Sequence, residues 1–103
     1  MYFTSNIKFL RKRRGRTQDE VAAALNLKRS TLSGYENGVA QPGIDILVSF
    51  SKYFNMSIDT LLKIDMTKLS ESQLGELFAQ FYIALCMFII HAVVFAVAQS
   101  IYN

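Results

Sequence analysis

The stretch Gln18–Tyr35, QDEVAAALNLKRSTLSGY, limits what this chain can fold into more than any other. Its apolar residues fall at Val21, Leu25, Leu27, Leu32 and Tyr35. Val21 and Leu25 stand four apart and mark one face of a short helix; Leu32 and Tyr35 stand three apart and mark one face of a second. Ala22 sits where two such helices would cross, and a larger side chain there would hold them apart. Asn26 takes the turn, because Asn tolerates the left-handed conformation better than most residues other than glycine.

Two short helices joined in this way form a helix-turn-helix, whose second helix lies in the major groove of DNA. On a wheel of about 100° per residue, Lys28, Leu32 and Tyr35 fall on one side of that second helix and Arg29, Ser30, Ser33 and Gly34 on the other. The first side can anchor to a core. The second is small and polar with one long cation, the shape a base-reading helix needs, with Arg29 able to fork onto guanine. An ordinary solvated helix face has the same composition, so the flanking residues must decide.

Charge is unevenly placed in the chain of 103 residues, long enough for one small domain plus an appendage. Residues 1–40 hold eight Lys/Arg against three Asp/Glu, and residues 41–103 hold three Lys against five Asp/Glu. A net of +5 thus lies on and before the two-helix unit, as expected of a phosphate-binding surface, although solvated basic faces are also common. The single Cys86 rules out an internal disulfide framework and suits a reducing interior. The first apolar run is short and is followed by RKRR, unlike a signal peptide.

Asn6–Arg14 reads as a first helix capped by Ser5 or Asn6, with Ile7 and Leu10 inward and Gly15 closing it. Thr17–Glu20 is T-x-x-E, a capping box for the next helix, with Gln18 in its first turn. Glu36-Asn37-Gly38 stops the reading helix, and a loop at Val39–Gly43 contains Pro42. Ile44–Phe54 predicts a fourth helix with Leu47, Phe50 and Phe54 inward, ended by Asn55. Ser57-Ile58-Asp59 begins a fifth, running through about Lys63, with Leu61 and Leu62 closing the core. Leu62–Lys68 alternates apolar and polar and reads as an extended linker rather than a strand, since no second strand is evident. Ser70–Gln73, S-x-x-Q, caps a last helix starting near Glu71.

Residues 1–66 together resemble the Cro/repressor-type (XRE-like) family of helix-turn-helix regulators. The resemblance is carried by Leu10-Arg11, Gly15, Thr17-Gln18, Val21-Ala22, Leu25, Leu27, Ser30-Thr31-Leu32-Ser33, Tyr35-Glu36-Asn37-Gly38, Pro42 and Ser57-Ile58-Asp59. It implies an all-α, five-helix DNA-binding domain, followed here by a long apolar C-terminal helix. It further implies a homodimer on double-stranded DNA at a pseudo-palindromic operator. By the same resemblance Gln18 contacts phosphate and braces the reading helix, and Arg29, Ser30, Ser33 and Gly34 face the major groove. Asn37 contacts the DNA backbone after it, while Arg11 and Glu36 form a structural ion pair. Two positions depart from the family pattern. Asn26 stands where glycine is commonest, and Lys28 where Ser or Thr often caps the reading helix. The second departure weakens that helix start by up to about 1 kcal/mol, which a phosphate contact from Lys28 would offset. Gly34 removes one base-reading side chain and leaves readout largely to Arg29.

The chain thus divides into a helix-turn-helix domain at 1–66, a linker with the start of the last helix at 67–76, and an apolar helical tail at 77–103. From Leu77 onward there is no Asp, Glu, Lys or Arg. Leu77–Ala98 is interrupted only by Gln80 and His91 and as a helix would run about 33 Å, enough to cross a hydrocarbon core of about 30 Å. Lys63 and Lys68 precede it and no cation follows, a bias that would keep the domain in the cytoplasm. Ala92, Ala96 and Ser100 repeat at the spacing of small residues in close helix pairs. A soluble dimerisation helix is the competing reading, with Gln80, Ala84, Met87, His91 and Phe95 on one stripe. A tail incidental to the regulator's history is the third.

The expected function is sequence-specific DNA-binding transcriptional regulation, as a dimeric repressor reading the major groove with residues 28–36. The alternative is a membrane-tethered or soluble interaction adaptor, or an antitoxin-like module, on the same fold. An enzyme is not expected, and neither is a cofactor or metal. His91 and Cys86 stand five apart, off one helix face and without a carboxylate, and no glycine-rich phosphate loop occurs.

Overall fold

Phe3, Ile7 and Leu10 follow one another at helical spacing and are all buried, so the first helix starts earlier than its capping residues suggest. The computed structural model describes residues 1–102, and α1 runs Phe3–Arg13 in it. Tyr2 precedes the helix and its N–H donates to the Leu62 carbonyl at 2.9 Å. Phe3 packs edge-on against Phe50, with ring centroids 5.4 Å apart. Burial of this ring and the hydrogen bond at Tyr2 draw residues 3–5 into the helix.

Asn6 is therefore not a cap. It is fully buried, and its amide joins α1 to the other end of the domain. Nδ2 donates to the carbonyls of Leu61 at 2.8 Å and Ile64 at 2.6 Å, and Oδ1 accepts from the Met66 N–H at 3.0 Å. A backbone that leaves a helix at Ile64 has free carbonyls and N–H groups, and burying them without partners is costly. One amide satisfies three of them.

The remaining elements are α2 (Gln18–Ala24), α3 (Arg29–Glu36), α4 (Ile44–Phe54), α5 (Ile58–Lys63), a 3₁₀ turn (Met66–Lys68) and α6 (Glu71–Tyr102), with no strand among the described residues. The first three helices end in the same way. A residue with positive φ follows the last turn at Gly15 (66°), Asn26 (56°) and Gly38 (75°). The next N–H reaches back five residues, from Arg16 to Arg11, Leu27 to Ala22 and Val39 to Gly34. This satisfies carbonyls that the helix leaves free and turns the chain sharply. Asn26 adopts the required conformation without being glycine. Thr17 and Glu20 form the reciprocal capping box, as do Ser70 and Gln73, and Asn55 closes α4 with φ 53°.

The core gathers Ile7, Leu10, Val21, Leu32, Phe50, Phe54 and Leu61. Leu62–Lys68 is less of a linker than its sequence suggests. Met66 is fully buried and the chain tightens into a 3₁₀ turn, its Met66 N–H held by Asn6 and its start capped by Asp65, which accepts from the Thr67 N–H at 3.2 Å. Apolar packing then continues past residue 66. Leu74 is buried, and Leu69, Leu77 and Phe78 pack against the same core.

Glu36, at the end of α3, is 4% exposed. Arg11 of α1 grips it with both arms of its guanidinium, Nε donating to Oε2 at 2.7 Å and Nη2 to Oε1 at 3.0 Å. Gln18 of α2 adds a donor, Nε2 to Oε1 at 3.2 Å. The carboxylate hydrogen bond raises the Arg11 pKa above its ordinary value against the opposing effect of burial. Arg11 also donates to the Arg16 carbonyl at 2.9 Å. One buried carboxylate thereby fixes the mutual positions of α1, α2 and α3.

Three outcomes test this account in unfolding measurements on the full chain held in mild detergent. Asn6→Ala strands three backbone groups at about 1 kcal/mol or more each and should lower urea stability by roughly 3 kcal/mol. Arg11→Ala should cost about 3–5 kcal/mol, because it leaves the Glu36 charge buried and unpaired, whereas Arg11→Met with Glu36→Leu should cost much less. Glu20 is held below the usual carboxylate range, first by the Thr17 N–H and then by Arg16 and the Thr17 hydroxyl. A depressed folded pKa stabilises above the unfolded value and is lost as pH falls through the folded one. Thermal melts should show Glu20→Gln flattening the acid limb of stability below about pH 5.

Candidate nucleic-acid interface

Burial of Leu32 and Tyr35 on one side of α3 turns its other side to solvent. Arg29 and Ser30 are exposed, and Ser33 and Gly34 are half-buried on the same side. The helix has no side-chain cap, since Lys28 at its start cannot accept the free N–H groups, and the Lys28 side chain is exposed. Arg29 lies over the start of α2, with Nε 3.9 Å from Asp19 Oδ1, both side chains well exposed. That contact is long and solvated and is worth no more than about 1 kcal/mol.

Ser33 and Asn37 are not independent. Asn37 Nδ2 donates to Ser33 Oγ at 3.2 Å, which leaves the serine hydroxyl proton free to donate outward. Gly34 sits beneath the following loop. Its carbonyl accepts from the N–H groups of Val39 and Ala40, and a Cβ at Gly34 would stand 3.5 Å from the Ala40 Cβ. That is ordinary contact distance, so the glycine is not sterically demanded there. Gln18, at the α2 start, is half-buried with its amide nitrogen directed at Glu36. The structure brings Lys28, Arg29, Ser30, Ser33 and Asn37 onto or beside one helix and places Gln18 at its far end, linked through Glu36.

The basic run 11–14 does something different from what its charge suggests. Arg11 is spent on Glu36. Arg13 pairs with Glu71 at 2.7 Å and lies over the Phe78 ring. Arg14 donates to the Tyr53 carbonyl at 2.7 Å and stacks on Tyr53 and Phe54. Arg16 pairs with Glu20 at 3.1 Å. Much of the net positive charge of the N-terminal half therefore clamps helices together, and Lys28 and Arg29 remain beside the α3 surface. Asp19 is the neighbour that the wheel of a single helix did not reveal; its position in the first turn of α2, one residue after Gln18, was the available signal. Among the described residues no cluster of three or more His, Cys, Asp or Glu is placed to hold a metal.

Residues 7–61, more than half of the chain, match the helix-turn-helix family model. The chain is 36% identical over 75 residues to the HTH-type transcriptional regulator ImmR of Bacillus subtilis, covering 72% of this chain and 59% of that protein. It is 34% identical over 62 residues to the HTH-type transcriptional activator BcrR of Enterococcus faecalis, covering 60% and 30%. It is also 34% identical over 61 residues to the HTH-type transcriptional regulator YqaE of Bacillus subtilis, covering 59% and 53%. The chain thus spans less than two thirds of each relative's length. Among solved structures it is similar to a transcriptional regulator from Listeria innocua, with TM-score 0.57 and 25% identity, covering 94% of this chain and 90% of that one. The fold also matches the SinR/SinI protein complex, with TM-score 0.60 and 23% identity, covering 90% and 99%. With its helix-turn-helix folded as its spacing requires and the family model matched over residues 7–61, the chain belongs to the XRE-like helix-turn-helix family of transcriptional regulators.

Proposed function

We propose that this protein is a dimeric repressor that reads a pseudo-palindromic operator in double-stranded DNA with α3, on the cytoplasmic side of the cell. The observation that carries the reading is the division of α3 itself, with Leu32 and Tyr35 buried and Arg29 and Ser30 exposed on the opposite side. In the groove Arg29 exchanges its loose contact with Asp19 for a forked pair on guanine, giving up little and gaining about 1–3 kcal/mol of discrimination. Ser30 and Ser33 offer short hydroxyl donors, while Gly34, under the Val39–Ala40 loop, adds no side chain to the readout. Gln18, Lys28 and Asn37 hold phosphates, which fixes register and contributes salt-dependent affinity.

The dimer follows from the magnitudes. Specific DNA binding exceeds non-specific binding by about 4–10 kcal/mol. One reading head with a single long base-contacting side chain supplies only part of that. Two copies on half-sites about 34 Å apart supply the rest. Repression by occupancy needs no surface beyond these contacts.

Gel-shift titrations at several salt concentrations, on duplexes selected from a random pool by the full chain, test the reading. Arg29→Ala should reduce preference for the selected duplex over random duplex by about 5- to 150-fold. Lys28→Ala should weaken both duplexes alike and lower the salt slope by about one. Equal binding of selected and random duplex by the unaltered chain, or no salt dependence, would overturn it.

A further inference from the structure

We propose that Ile83–Ile101 of α6 crosses a lipid bilayer, with Tyr82 and Tyr102 at its two borders. A membrane-length apolar helix means little when it is a protein's buried core or an N-terminal leader. Neither explanation applies here: α6 follows a folded domain, its apolar window has mean hydropathy 2.5, and none of that window is buried. Large apolar side chains point in every direction around it. Ile83 and Val94 lie on one side, Phe88 and Phe95 about a third of a turn away, and Leu85 and Ile89 on the third side. These six are between 48% and 74% exposed.

A second copy of the helix would cover one strip and leave the other sides in water. A bilayer covers all of them around a single chain, which is why lipid is the occupant the geometry favours. The length agrees. Nineteen residues at 1.5 Å per residue span about 28 Å, close to the roughly 30 Å of hydrocarbon.

The borders come from the folded structure rather than from hydropathy. Leu77 and Phe78 are apolar but already packed in part against the domain, which sets them apart from the exposed residues beyond Tyr82. The last hydrogen bond from the domain to α6, among the described residues, is Asn55 Nδ2 to the Tyr82 hydroxyl at 2.8 Å. Past Tyr82 nearly every residue is exposed. Tyrosine favours membrane interfaces because its ring is apolar and its hydroxyl polar, and Tyr102 supplies the matching ring at the far end. A polar group in hydrocarbon needs an internal partner. One ring nitrogen of His91, near the middle of the segment, has such a partner, Nδ1 lying 2.9 Å from the Met87 carbonyl. Lys63 and Lys68 stand on the domain side of the segment, and cations close to a membrane helix favour the cytoplasmic side.

Insertion stands apart from operator reading, and its measurements do not involve DNA. The full chain is synthesised cell-free with vesicles of phosphatidylethanolamine and phosphatidylglycerol and floated through a sucrose gradient after washing with 1 M salt and alkaline carbonate. It should rise with the vesicles, and Ile90→Arg, a change at a position without packing inside the chain, should reduce the floating fraction at least fivefold. In a Cys86→Ser background, Ala79→Cys should react with a membrane-impermeant maleimide in intact vesicles and Ile90→Cys should not. A full chain that stays at the bottom of the gradient, as soluble oligomer or aggregate, would overturn the proposal. So would equal flotation of Ile90→Arg or equal labelling of the two cysteines, both of which indicate surface adsorption.

Discussion

Everything on the α3 surface depends on one carboxylate that has left water. Glu36 is the last residue of α3, and its buried charge is compensated by Arg11 from α1 and Gln18 from α2. A buried ion pair of this kind adds little net stability over apolar packing, because desolvation consumes most of the attraction. Its contribution is positional. The bidentate geometry of Arg11 and the third donor from Gln18 are met together by one arrangement of the three helices, which an apolar contact of equal volume would not specify so narrowly. An eight-residue helix is too short to hold its shape in isolation. It is held at one end by Glu36 and along its length by Leu32 and Tyr35, and the polar side is what remains outside.

How far this was legible in the sequence depends on the range of the interaction. Capping boxes at Thr17 and Ser70, the turn at Asn26 and the stop at Asn55 are local, and each was visible because its signal lies within a few residues of its effect. Periodicity likewise exposed the inward side of α3 and the boundaries of α4. Local signals offer Ser5 or Asn6 as a cap, whereas the partners of Asn6, Leu61, Ile64 and Met66, lie more than fifty residues away and nothing local announces them. The same missing partner made Leu62–Lys68 look like a linker. Phe3 was the overlooked clue, being one turn before Ile7 and on the same side of the helix as the buried residues that follow. The Arg11–Glu36 pair was legible only through family resemblance, since no spacing rule links residues twenty-five apart.

Net charge was a weaker guide than position. A run such as Arg11–Arg14 looks like a phosphate-binding patch when charges are counted along the chain, but a helix distributes four successive residues around its full circumference. Arg11 is thereby sent to α3, Arg13 to α6 and Arg14 to the end of α4. Arginine suits these places because its planar head stacks on Phe78, Tyr53 and Phe54 while still donating hydrogen bonds. Lys28 and Arg29 stay beside the solvent-facing side of α3 because the helix starts there and its inward positions are taken by Leu32 and Tyr35.

The junction between the domain and α6 ties these threads together. Leu74, Leu77 and Phe78 pack on the core, Arg13 holds Glu71 and Phe78, and Asn55 holds Tyr82. A flexible tether would need a run of residues with few such contacts. Here Met66, Leu69 and Leu74 are all engaged, so little slack separates the core from the last helix. A body whose long helix emerges from its own core carries the solvent-facing side of α3 at a set angle to that helix. Whatever surrounds Ile83–Ile101 therefore constrains the orientation of α3 as well as its location. If the proposed insertion and operator reading both hold, that coupling restricts the tilts at which α3 can meet a duplex, and the mechanical link is the set of contacts from Arg13 and Asn55 to α6.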